Sequence, residues 1–246
     1  VPYIVLGLVV ALVAGTFAAT DFPETTKDSP EDSDLSLQRL CTALVRLWRQ
    51  AGFAQGVLAQ AAYVGGQVCV WSFVIRLVQQ EIPGTSEQRA ADCVLLSQVI
   101  FVVGRFVVSA LLNYVHESTL LCVYALLATA LCIVVAVAGG VVSVVAMLAT
   151  SFFMSMMFPT IFGMVISQLD REDTEVGAAM LVMSIIGGAV VTPIMGAVSD
   201  ATSVAMAYLV PGACFLVVML FALQRSFVRA DAGERKPLVG SLDACD

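Results

Sequence analysis

Seven stretches of this 246-residue chain stay apolar long enough to fix what it can fold into: 2–20, 53–79, 92–115, 119–138, 141–168, 177–199 and 203–224. A helix needs roughly 20 apolar residues to cross a hydrocarbon core about 30 Å thick. In that medium every backbone N–H and C=O must be paired within the protein, which leaves helices as the fold for such stretches. The sequence therefore predicts an all-α integral membrane protein with seven transmembrane helices. With 59% hydrophobic residues, 13% charged residues and a mean hydropathy of +0.94, the composition lies well outside that of a soluble domain.

Several function classes fall away at this stage. The net charge of −7 gathers partly in one hydrophilic segment holding Asp21, Glu24, Asp28, Glu31, Asp32 and Asp34, which reads as a solvated loop. No basic patch with interleaved aromatics exists, so nucleic acid is not an expected partner. The seven cysteines form no CxxC pair and five lie inside spans as small packing residues, so neither a disulfide framework nor a metal site is expected. His116 is the one histidine, which rules out a His-based metal or catalytic cluster. No cofactor is expected, and the spans carry no credible acid, base and nucleophile set for an enzyme. The chain opens on Val1 directly into an apolar span, which reads as a fragment of something longer.

Basic residues set the orientation, because cytoplasmic loops keep an excess of Lys and Arg. Lys27, Arg39, Arg46 and Arg49 fall in the first long loop, Arg171 between the fifth and sixth spans, and Arg225, Arg229, Arg235 and Lys236 in the C-terminal tail. Only Arg76 and Arg89 stand opposite. The loop 21–52 and the tail 225–246 are thus expected in the cytoplasm, with the plasma membrane as the host. Within the loop, Leu37, Leu40, Leu44 and Leu47 recur at helical spacing and predict an amphipathic helix over 35–50, lying on the inner membrane surface.

Six spans follow that loop with short connections and form one expected bundle over 53–224. Read as two three-helix repeats, the leading members are 53–79 and 141–168, which carry Gly65-Gly66 and Pro159 near their middles. Interrupted helices at corresponding positions point to a transporter's binding site, so both helices are expected to be broken there. In 53–79, Gln60, Tyr63, Gln67 and Trp71 follow steps of three, four and four and share a face. Amides and a phenol beside an aromatic surface suit a sugar, whose hydroxyls need hydrogen-bond partners and whose C–H faces stack on rings. The same residues also serve as interhelical hydrogen-bond glue.

In 92–115, Gln98, Arg105 and Ser109 lie on one stripe, and Arg105 is the one charge well inside a span, about 13 Å along the axis from Tyr114. A gating or packing role is expected for it. Ser155 and Thr160, on either side of Pro159, join Gln98 as expected substrate contacts. In 177–199, Gly188, Thr192 and Gly196 repeat every four residues as a groove for close helix packing, and Pro193 belongs to the same structural set. No carboxylate lies in the middle of a span, so a coupling proton would be carried outside this chain.

Four stretches resemble the fucose-galactose-glucose proton symporters of the major facilitator superfamily: AQAAYVGGQVCVWSFVIR at 59–76, GRF at Gly104–Phe106, FMSMMFPTIFGM at 153–164 and LVMSIIGGAVVTPIMGAVSD at 181–200. The resemblance implies a twelve-helix transporter working by alternating access, with a sugar site between two six-helix halves. Residues 1–20 would then be the last helix of a missing N-terminal half and 53–224 the C-terminal six-helix bundle. It implies a cavity role for Gln60, Tyr63 and Gln67, with the coupling carboxylates in the other half. A sugar sensor that does not transport is a competing reading. A seven-helix receptor or retinal protein fits less well, since 203–224 lacks a Schiff-base lysine and no receptor motif is found.

Overall fold

The computed structural model describes residues 2–18, 20, 42–112 and 114–234. All regular elements among them are helical. The chain divides into two units, Val1–Cys41 and Thr42–Asp246. The first contributes one helix, α1 (Pro2–Ala18), whose Leu8, Val10 and Leu12 are exposed.

The second unit begins with α2 over 42–49. It continues through α3 (Ala51–Ser72), α4 (Val74–Glu81), α5 (Glu87–Leu111), α6 (Glu117–Ala138), α7 (Gly140–Met154), α8 (Met157–Ile166), α9 (Arg171–Met183), α10 (Ile186–Ala201), α11 (Val204–Ala207) and α12 (Leu209–Glu234). Five helical segments are long and apolar enough to cross a membrane, and α3–α4, bent by 48°, makes a sixth. The expected count of seven is not confirmed among the described residues: α1, at 17 residues, is not one of these six.

Close backbone approach holds these helices together, as expected where lipid removes the usual hydrophobic drive between them. A Cβ on Gly187 would stand 2.1 Å from the Ala61 carbonyl oxygen, and one on Gly65 would stand 2.5 Å from Val191 Cγ2. Gly188 meets Val68 and Gly66 meets Phe215 at 3.0 Å. These contacts seal α3 against α10 and α12, the small-residue packing that the spacing of Gly188 and Gly196 suggests. Pro193 lies inside α10, which continues through it.

The expected helix breaks are corrected by the structure. Gly65-Gly66 lies inside the uninterrupted α3, since both glycines are used for close approach. The bend falls at Phe73, which is neither Gly nor Pro. There the hydroxyl of Tyr208 donates to the Val70 carbonyl at 3.1 Å, and a side chain inserted into the ladder is a recognised cause of kinking. The second break lies at Ser155–Met156, one turn before Pro159. Proline has no N–H to offer the carbonyl four residues back and its ring presses on it, so the break falls at Ser155 rather than at Pro159.

Residues 35–41 of the expected amphipathic helix lie outside the described residues, as do Leu37 and Leu40. Over 42–49 the apolar face is turned onto the bundle: Leu47 is fully buried, and Arg46 is ion-paired with the buried Asp173 at the start of α9. Val45 and Trp48 face outward, 55% and 56% exposed. At the opposite end, α6 turns into α7 through Gly139 and Gly140 at φ of 70° and 60°, a region that favours glycine. The Glu81 carboxylate accepts from the Gly140 N–H at 2.6 Å and so caps α7.

Residues 225–234, expected in the tail, continue α12, and 235–246 lie outside the described residues.

Candidate functional site: a polar cavity at the broken helix

The α7–α8 break frees carbonyls in the middle of an apolar bundle, where each needs a partner. Tyr63, fully buried on α3, donates its hydroxyl to the Met154 carbonyl at 3.0 Å. Arg105 on α5 donates Nε to the Ser155 carbonyl at 3.3 Å, taking up the acceptor that Pro159 leaves free. α5 comes close enough because residue 104 is glycine: a Cβ there would stand 2.7 Å from Ser155 Oγ and 3.0 Å from the Phe152 carbonyl oxygen. Two turns away the buried Ser97 and Ser151 hydroxyls share a 2.7 Å hydrogen bond that fixes the same helix pair.

Aromatic contacts extend this arrangement. The Arg105 guanidinium lies 5.0 Å from the Phe101 ring centroid, and Phe101 meets Trp71 of α3 edge-on at 5.0 Å and 80°. Tyr63 meets Phe158 edge-on at 6.3 Å. Trp71, Phe101, Arg105 and the α7–α8 break thus form one continuous wall.

A cavity of about 300 Å³ opens beside it, lined among others by Arg105, Ser109, Glu117, Ser155, Pro159 and Thr160. That is near the lower end for small-molecule sites. Ser155 is fully buried and its hydroxyl has no protein partner. A cation, a carboxylate and three hydroxyls therefore converge on a space about the size of a monosaccharide. A larger groove of about 760 Å³ lies between α3, α10 and α12, lined by Leu58, Ile186, Val190 and Ile194 among others. Its wall is almost wholly apolar, so a sugar there would lose its hydrogen bonds to water without replacement.

The structure separates the residues that sequence spacing placed together. Arg105, Ser155, Pro159 and Thr160 line the polar cavity. Gln60 is fully buried with both amide atoms unpartnered, and Tyr63 is fully buried with its hydroxyl committed to Met154. Neither lies open on a cavity wall, although the α3 face is polar as expected. Gln67, Trp71 and Gln98 are half-buried, and the Trp71 indole N–H is unpartnered. Gly65, Gly66 and Gly188 belong to the helix seam. Sequence reasoning missed Glu117, Phe101 and Tyr208. Glu117 opens α6 outside any span, and no periodicity marks it.

No protein-family model matches the chain. It is 42% identical over 231 residues to the L-fucose-proton symporter of Escherichia coli K12, covering 92% of this chain and 51% of that protein. It is 31% identical over 223 residues to a glucose/galactose transporter of Brucella abortus, covering 90% and 52%. The crystal structure of the Escherichia coli fucose:proton symporter superposes with a TM-score of 0.79 at 39% identity, covering 91% of this chain and 54% of that one.

Over nine-tenths of its length this chain is thus similar to fucose and glucose/galactose transporters of the major facilitator superfamily. It spans about half the length of the curated relatives it matches. These relatives are transporters, and together with the apolar helices they make this a multi-pass membrane protein. The motif at 153–164 that carries much of the resemblance is the segment that breaks at Ser155 and walls the polar cavity.

Proposed function

We propose that this chain forms the C-terminal six-helix half of a proton-coupled transporter for a neutral monosaccharide such as fucose, galactose or glucose, in the plasma membrane with its C-terminus in the cytoplasm. One observation carries the reading: a helix broken by Pro159 places a cation, a carboxylate and the buried, unpartnered Ser155 hydroxyl around a cavity of about 300 Å³ that opens beside the break. A polar space in that setting is costly unless a ligand uses it.

The sugar's hydroxyls bond to Ser155 and Thr160, with Gln67 and Gln98 contributing from the half-buried faces of α3 and α5. The indole of Trp71 offers a surface for C–H groups. Arg105 ties α5 to the α7–α8 break, so that occupancy of the cavity and the bend of this span are linked. The second half of the site and the coupling carboxylates belong to the partner six-helix half, and the two halves rock about the site.

Sugar binding measured by calorimetry on the full-length protein tests the site. Replacing Gln67 with Ala removes one hydrogen bond, and the expected loss is about five- to tenfold in affinity with insertion unchanged. Wild-type affinity in that variant removes the α3 face from the site.

A further inference from the structure

A second polar cavity lies at the end of the bundle where α2 hands over to α3. It measures about 220 Å³ and is lined by Gln50, Gly52, Phe53, Gln168, Leu169 and Arg225, with Val165. No carboxylate lines it. Arg225 is held in place on two sides: Nη2 donates to the Gly52 carbonyl at 2.7 Å, and Nη1 donates to Gln168 Oε1. Its guanidinium lies 5.1 Å from the Phe221 ring centroid. The Gln168 amide is fully engaged, since its Nε2 donates to the Met164 carbonyl at 2.9 Å. Three of the five guanidinium N–H groups remain, among them the Arg225 Nε–H, buried and without a protein partner.

Two further features share this cavity. α3 begins here, and its N-cap Gln50 makes no side-chain cap, so the partial positive charge of the first turn adds to that of Arg225. Gly52 keeps the approach clear, since a Cβ on it would stand 3.2 Å from Arg225 Nη2. The site is thus a half-enclosed positive space with an orphaned guanidinium donor, and it calls for an anion.

The depth identifies which anion. α2 leads directly into the cavity and presents Val45 and Trp48 outward, with Arg49 exposed beside them. Outward Trp beside Arg marks the headgroup level of a bilayer. We propose that the cavity holds the phosphate of an anionic phospholipid from the adjoining leaflet, with the remaining Arg225 N–H groups and the Gly52 N–H at the start of α3 as donors. The acyl chains lie against the apolar flank of the bundle, and the lipid pins α2 and the end of α12 to the start of α3.

The test uses the full-length protein in a neutral detergent, stripped of lipid and titrated with phosphatidylglycerol or phosphatidylcholine. Native mass spectrometry reads the retained lipid and a melting curve reads stability. Phosphatidylglycerol is expected to be retained about fivefold more strongly than phosphatidylcholine and to raise the melting temperature, with inorganic phosphate failing to compete. Arg225→Gln removes the preference, but it also cuts the tie to Gly52. Gln50→Glu is the cleaner variant, because it sets a negative charge at the cavity and leaves the Arg225 bonds in place. It is expected to abolish the preference without changing the melting temperature in lipid-free detergent, while Arg89→Gln at the opposite end changes neither. Equal retention of the two lipids, or an undiminished preference in Gln50→Glu, overturns the proposal. Stabilisation by inorganic phosphate alone overturns the lipid as its source.

Discussion

At two of the interrupted spans in this bundle a buried tyrosine caps a freed carbonyl. At Phe73, Tyr208 reaches the Val70 carbonyl; at Ser155–Met156, Tyr63 reaches the Met154 carbonyl. The first break lies next to the tightest seam of the molecule, where Gly65 and Gly187 bring α3 against α10, and it is filled by packing. The second has a proline one turn later, a second freed carbonyl held by a charged side chain, and a cavity beside it. Breaking a membrane helix is therefore not what makes a site. A site arises where the freed backbone groups are held by groups that also face a polar space.

The largest effect is expected where the seam is disturbed. Gly187→Val sets a side chain against the Ala61 carbonyl at a distance no Cβ occupies, and the expected loss is about 3 kcal/mol or more, read as a lower melting temperature and a poor monodisperse yield. Next comes Arg105→Ala, which leaves the Ser155 carbonyl unpaired. About 1–3 kcal/mol of stability is lost and sugar uptake falls in the same variant.

The paired tyrosines sharpen the contrast. Tyr63→Phe and Tyr208→Phe each forfeit about 1 kcal/mol in thermal denaturation, yet only Tyr63→Phe lowers uptake, because only its break borders the cavity. Equal loss of uptake in both would make the two breaks equivalent. The smallest effect is Gly163→Ala, where nothing lies within 4 Å of the added Cβ. Stability rises by about 0.5–1 kcal/mol and transport is unchanged.

Apolar run length made the helical bundle legible, since an apolar run of that length has few ways to satisfy its backbone in lipid. The polar character of α3 was legible from the spacing of Gln60, Tyr63, Gln67 and Trp71, but not which of them faces a cavity. Tyr63 turns inward because the Met154 carbonyl of α7 accepts its hydroxyl, and Gln60 is buried with its amide unpartnered, neither of which periodicity reveals. Gly65-Gly66 misled because a glycine pair serves close packing as readily as bending. Pro159 marked the right helix, and the one-turn offset to Ser155 follows from where proline acts on the ladder. Glu117 and the Arg225 cavity arise from helix ends meeting in space, which a single sequence does not encode locally.

The most direct test is uptake of radiolabelled L-fucose, galactose and glucose by the full-length protein in proteoliposomes, with and without an inward proton gradient. The account predicts uptake of at least one of these sugars that the gradient stimulates and that Arg105→Ala lowers. Saturable sugar binding with no flux in either condition would contradict it.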